Sequence, residues 1–236
     1  MPSMTSTKYA PNPFRPALFS FLRDLEKNNN RDWFRDNKGR YEEYVKDAAL
    51  RFISDFGPHL KAISPHFLAI PKASGGSLFR IYRDVRFSKD KSPYKTHVGI
   101  QFRHETSRDA HAPGFYLHIQ PTGTFVGVGM WHPDAASLAR IRQHLQDDPR
   151  GWKRVVSGKR FRADWRLEGG TLKRPPRGVD PEHPLIEDLK RKDFIAVTRL
   201  TQKDLLAADF PRVFGTLCRG GSPLVRYLCE AVGAAF

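Results

Sequence analysis

Cysteine is scarce in this chain, with two residues in 236, and methionine nearly so, with three. Cys218 and Cys229 lie eleven apart near the C-terminus, without a C-x-x-C pair, so a disulfide framework and a structural zinc site are excluded as expectations. A reducing cytoplasm is the expected setting. Long apolar runs are missing as well. No stretch approaches the roughly 20 residues needed to cross a bilayer, which argues against membrane insertion. The opening "MPSMTSTKYAPNPF" has no apolar h-region and reads as a disordered lead over 1–13 rather than a secretory signal. Also absent are G-x-S-x-G, Walker and Rossmann strings; "GVGMW" at 127–131 lacks a third glycine and follows no strand-to-helix turn. No H-x-H or H-E-x-x-H occurs, so no metal is expected. His97, His104, His111 and His118 recur every seven residues, an interval that flips the side of a strand and builds no metal cage.

Acidic residues are outnumbered. Forty Lys and Arg face 25 Asp and Glu, a formal charge of +15, and 25 of the basic residues are arginine. Such a balance attracts polyanions and phosphorylated or carboxylated metabolites, and arginine forks suit bidentate contacts to either. It also serves plain solubility. Hydrophobic content of 39% and aromatic content of 12% are too high for a disordered chain, and 236 residues suit one globular domain, expected over 14–236.

Periodicity sets the order of elements. Phe14, Leu18, Phe21, Leu22 and Leu25 share one helical face, "NNN" at 28–30 ends that helix, and Asn30 can cap the next. A second, long helix is expected through Tyr41, Val45, Phe52 and Phe56 up to Gly57-Pro58. Period two then takes over: "SLFRIYRDVRF", "THVGIQFRH", "GFYLHIQP" and "TFVGVGMW" read as four strands, the last two joined at Pro121-Thr122-Gly123. Asp134 caps a helix to about Leu145, and Pro149 to Val156 suggests another. The span 150–180 is irregular and very basic, with order left open. "FIAVTRL" at 194–200 is a further strand, "TQKD" at 201–204 a capping pattern, and Ser222-Pro223 the start of a short final helix. The expected class is α+β: a central antiparallel sheet, two N-terminal helices, and C-terminal helices packed around it.

"RIYRDVRFSKDKSPYKTH" at 80–97 holds six basic residues, two aspartates, three aromatics and a histidine. Alternation places Arg80, Asp84, Arg86, His97, Gln101, Arg103, Tyr116, His118 and Gln120 on a shared polar face, resembling the lining of a cleft. Lys91, Lys95 and Tyr94 stand beside it. Two aspartates cannot neutralise six cations, so an anion is the natural missing partner. The ligand-binding set is Arg80, Arg83, Asp84, Arg86, Asp90, Lys91, Tyr94, Lys95, His97, Arg103, Tyr116 and His118, with Asp84 orienting the arginines; were the stretch only structural, Asp84 would bridge Arg80 and Arg86 to hold a sheet edge. His97 and His118 are candidate general bases, since histidine titrates near neutrality. Three functions compete. One is a cleft for a small phosphorylated or carboxylated ligand. Another is a nucleic-acid surface extended by 150–177, with Trp152, Phe161 and Trp165 as stacking groups. The third is an interaction module in which the 80–94 string is only a folding element.

The string Arg80-x-x-Arg83-Asp84-x-Arg86-Phe87-x-x-x-Asp90-Lys91-x-Pro93-Tyr94 resembles the signature of a widespread, mostly bacterial family, domain of unknown function 2461. "NNNRDWFRDNKGRYEEYV" and "LKRPPRGVDPEHPLIEDLKRKDF" are similar to that family too, and the resemblance covers roughly 14 to 215. It implies that the residues of the string define the family and leaves activity, substrate and cofactor open.

Overall fold

A computed structural model describes residues 8–106 and 111–236. The chain opens with α1 (Pro16–Lys27), α2 (Arg31–Asp36) and α3 (Lys38–Tyr41); a π-helical segment (Glu42–Asp47) leads into α4 (Ala48–Lys61). Strands β1 (Phe67–Leu68), β2 (Val98–His104), β3 (Gly114–Ile119) and β4 (Phe125–Met130) follow. Next come α5 (Ala135–Asp147), α6 (Pro149–Ser157), α7 (Lys159–Asp164), β5 (Arg166–Glu168) and α8 (Ile186–Leu189). The chain ends with β6 (Phe194–Arg199), α9 (Gln202–Leu206) and α10 (Phe210–Val232). The six strands form one antiparallel sheet in the order β1-β2-β3-β4-β6-β5. The fold is α+β, as expected. Among the described residues, no helix is long and apolar enough to cross a membrane.

Local chemistry explains most boundaries. Asn30 accepts from the Trp33 backbone and starts α2; Asp134 accepts from Ser137 and starts α5. Thr201 and Asp204 form a reciprocal capping box at α9. Of the expected lead, 1–7 lie outside the described residues. Tyr9 stacks on His59 at 3.6 Å, and Asn12 donates to the carbonyls of Leu205 and Ala207 at 2.7 and 2.8 Å.

One face of the sheet is covered. Ile100, Phe102, Phe115, Leu117, Val126 and Val128 point into a core closed by α4 and α10. Phe214 of α10 sits 4.8 Å from Phe56 and 5.9 Å from Phe102. Gly221 lets α10 close on β4, since a Cβ there would lie 2.8 Å from Val128. Both cysteines are buried in α10 and unpaired.

Three expectations need correction. The long second helix does not stop at Gly57-Pro58; α4 runs on to Lys61, because buried His59 and Leu60 continue its apolar stripe. The C-terminal helix does not begin at Ser222-Pro223. Pro223 lies inside the 23-residue α10, and the Ser222 hydroxyl donates at 2.8 Å to the Arg219 carbonyl that the missing proline N–H leaves open.

The third correction matters most for function: residues 78–87 are not a strand. Only isolated bridges, Leu78 to Ile100 and Tyr82 to Tyr94, tie the segment to extended neighbours. Beyond them Asp84 accepts from the Arg86 backbone at 3.2 Å, and Asp90 accepts from the Ser92 backbone at 2.9 Å. Carboxylates that capture nearby N–H groups compete with a ladder and turn the chain into a loop. Residues 77–97 therefore form an arm beside the sheet.

Candidate functional site

The other sheet face is open. Gly99, Gln101 and Arg103 of β2 share it with Tyr116 and His118 of β3 and with Phe125, Gly127 and Gly129 of β4, as the register requires. Over this face lies a cleft of about 500 Å³. Its walls are Phe79 and Lys95 from the arm, Trp131 beyond β4, and Ile195 and Val197 of β6. Gly114, Gly127 and Gly129 pave part of the floor, and Gly99 is needed beside it. A Cβ at that position would come within 2.8 Å of the Tyr116 hydroxyl and 2.9 Å of Phe79. A second hollow of about 360 Å³, lined by Arg80 and Arg103, shares Phe79 and Lys95 with the first.

A polar chain runs along β3. The Tyr116 hydroxyl donates to His118 Nδ1 at 3.0 Å, and His118 Nε2 donates to Gln120 Oε1 at 3.1 Å. That pattern needs neutral His118, with its proton on Nε2. Burial pushes its pKa down, and burial raises that of Tyr116, which keeps the phenol protonated as donor. His97 stacks on one face of the His118 ring at 4.5 Å, and Phe125 stacks on the other at 4.7 Å. The pKa of His97 falls to about 4 through burial first, with His118 and Lys95 adding repulsion. At neutral pH His97 is therefore a neutral imidazole at the cleft wall, and a weak base.

This depression makes stability depend on pH. His97 charges near 6.5 when unfolded but only near 4 when folded, so the unfolded chain binds the extra proton between those values. The contribution is fully present above pH 6.5 and is lost as pH falls toward 4. His118 and His59 act in the same direction. About 1–2 kcal/mol is expected from His97, the full linkage value being reduced by the open cleft. Urea unfolding at pH 7 and 4.5 should show this loss in the wild type and a smaller one in His97→Gln; equal losses would put the titration elsewhere.

Lys95 is half-buried, and burial lowers its pKa, with Arg80 adding repulsion. Its ammonium donates at 2.9 Å to the Arg80 carbonyl and stands 5.6 Å from the Phe79 ring. Among the described residues it pairs with no carboxylate.

The sequence-predicted residues divide into groups. Lys95, His97, Tyr116 and His118 line the cleft; Arg80, Arg103 and again Lys95 line the adjoining hollow. Arg83, Asp84, Arg86, Asp90 and Lys91 lie on the loop of the arm, outside both. There Arg83 pairs with Asp90, and Arg86 grips Asp84 through Nε at 3.0 Å and Nη2 at 2.7 Å. The Arg86 fork pulls the Asp84 carboxyl down to about 2; the Ser92 hydroxyl and then Arg83 pull Asp90 lower still. Lys91 donates to the Val85 carbonyl at 3.0 Å. Two of the six cations of 80–97 are thus paired within the loop, and the hydrogen bonds of Asp84 go to Arg86, without the bridge to Arg80. Tyr94 faces the core, stacked on Phe34 at 4.0 Å.

The nucleic-acid surface loses its stacking groups. Trp152, Phe161 and Trp165 are 0%, 7% and 2% exposed, because 150–168 folds as α6, α7 and β5 against the core. Sequence reasoning missed Phe79, Phe125, Trp131 and the glycine floor; the repeated glycines of "FVGVGM" were the available signal. It also missed buried Asp193, which accepts from the backbones of His132 and Gly170 at 2.9 and 2.8 Å and from the His132 ring at 2.8 Å. His132 is the one non-glycine described residue with positive φ, at 47°.

An α+β domain with an uncovered sheet face, a basic arm and an aromatic cleft is the class these observations define. The family described as "Conserved hypothetical protein (DUF2461)" matches residues 17–227, and the chain belongs to that family. No curated protein and no solved structure matches the chain.

Proposed function

We propose that the open-face cleft binds a small organic anion, phosphorylated or carboxylated, and that this is the protein's primary activity. The observation that carries the reading is Lys95. It is a half-buried cation without a carboxylate partner, on the ridge between an aromatic cleft and a hollow lined by Arg80 and Arg103. Its ammonium meets a carbonyl and a ring face but no counter-charge, and an anionic ligand supplies that missing partner. The cleft volume falls within the range of small-molecule sites. His97, neutral and beside Lys95, is the base such a ligand would meet if it is turned over. A reducing cytoplasm fits two buried, unpaired thiols.

A thermal-shift screen of nucleotides, sugar phosphates and carboxylates tests the reading. A ligand at a hundredfold excess over Kd stabilises by about 2.7 kcal/mol, or roughly 5–10 °C for a chain of this size. The shift should vanish in Lys95→Met and in Gly127→Leu. A Cβ at Gly127 meets only Tyr116 and Phe125, at 3.7–3.8 Å, so leucine fits locally while its branches enter the cleft. No shift with any member, or a shift untouched by Gly127→Leu, would remove the proposal.

A further inference from the structure

The cleft has more apolar surface than charge, and that imbalance narrows what it can take. Lys95 is the cation at its wall, and one of its three protons is committed to the Arg80 carbonyl. Two remain, enough for the two oxygens of a carboxylate. A phosphate dianion asks for more donors. Of the other cations nearby, Arg83 and Arg86 are held by Asp90 and Asp84, Arg103 of β2 donates at 2.9 Å to the Gly75 carbonyl, and Arg80 lines the adjoining hollow instead of the cleft.

The shape points the same way. Gly114, Gly127 and Gly129 leave part of the floor without side chains, while Phe79 and Trp131 rise at its sides. His118 is stacked against His97 and Phe125 and has both ring nitrogens hydrogen-bonded, to Tyr116 and Gln120, which fixes it as part of the wall. A floor lowered by glycines between flanking aromatics suits a planar body more than a puckered one.

We infer that the ligand is a planar aromatic carboxylate, its ring over the glycine floor and its carboxylate on Lys95. This rests on the cleft being the binding site, and it names the chemical class that the site takes. In this arrangement the carboxylate lies beside the neutral His97 ring, and no covalent step is required.

Calorimetric titration with 1-naphthoate, 1-naphthyl phosphate, 1-naphthamide, cyclohexanecarboxylate and inorganic phosphate separates the possibilities. Naphthoate should bind at least tenfold tighter than each of the others. Lys95→Met should weaken naphthoate at least tenfold and naphthamide less than twofold, and Gly127→Leu should abolish both. Naphthoate should also shift the NMR signals of the His97 and His118 rings in the wild type, a readout that needs no variant to fold. If naphthyl phosphate binds as tightly as naphthoate and Gly127→Leu still blocks it, the cleft reading stands and the carboxylate assignment falls. If cyclohexanecarboxylate matches naphthoate, the planar requirement falls. If none of the five binds, this inference falls and the thermal-shift screen decides the proposed function by itself; if naphthoate binds but leaves both histidine rings undisturbed, it sits outside the cleft and both fall.

Discussion

Exchanging Gly129 for alanine is expected to destabilise the fold by about 4 kcal/mol or more, a large part of the stability of an ordinary domain. Two costs combine. Gly129 has φ of +116°, a backbone region that side chains rarely adopt, and holding a residue there costs roughly 1–3 kcal/mol. Its missing Cβ would also lie 2.1 Å from the Phe194 carbonyl oxygen, far inside any tolerable contact. Relief requires β4 and β6 to move apart where Gly129 pairs with Ile195, at the cost of ladder hydrogen bonds in the centre of the sheet. Gly127 is the control two residues upstream, in the same strand and on the same face. A Cβ there finds only ordinary contacts, so Gly127→Ala should unfold within about 1 kcal/mol of wild type. Urea unfolding of the two variants checks the pair. Similar midpoints would mean that β4 and β6 are not joined as described, and the cleft floor would go with them.

The contrast between these glycines also shows what kind of information the sequence carried. Alternation in "THVGIQFRH", "GFYLHIQP" and "TFVGVGMW" reports one buried face, and β2, β3 and β4 lie where it put them. Capping residues acted locally, so Asn30, Asp134 and Thr201 began their helices as read. Residues 78–87 alternate just as well, yet Phe87 is 95% exposed and Ile81 is buried. Period two says that a segment could pair, not that a neighbour is available. Here Asp84 and Asp90 turn the chain before a ladder can extend. Prolines misled for a related reason: Ser222 supplies the donor that Pro223 lacks, and a single-residue rule does not see the compensation.

The site divides along the same line. Tyr116 and His118 share a cleft with Lys95 and His97 because strand alternation and its nearest flank carried that information. Ile195 and Val197 join them only through the β4–β6 pairing, which brings together residues far apart in the chain. No local pattern announces such a wall. The charge count could not say which cations the two aspartates take, Arg83 and Arg86, and which stand at the cleft.

Tyr94→Ala is expected to cost about 3–4 kcal/mol, whereas Arg86→Ala, eight residues earlier in the same string, should leave the unfolding midpoint unchanged. The Tyr94 ring is 5% exposed and stacks on Phe34 at 4.0 Å, so its removal opens a cavity under the arm. Its backbone is held on both sides by Asn29, which accepts from the Tyr94 N–H at 3.1 Å and donates to the Tyr94 carbonyl at 2.9 Å. Shifting this residue releases the strand-like pairing of Ile81 and Arg83 with Lys95 and Pro93, and with it the wall that carries Lys95. Arg86 is the opposite case. Its side chain is 76% exposed and paired with an exposed aspartate, the kind of contact that water and salt screen. Denaturant melts of both variants, with ligand binding measured on each, separate the two ends of the arm. A Tyr94→Ala protein should bind the cleft's ligand more weakly even where it is still folded, because Lys95 is no longer held in place. If Arg86→Ala is the variant that melts early, the exposed loop carries structural load that its contacts do not reveal. The arm would then be a folding element from end to end, and Lys95 would owe its place to the loop more than to the Asn29 clamp.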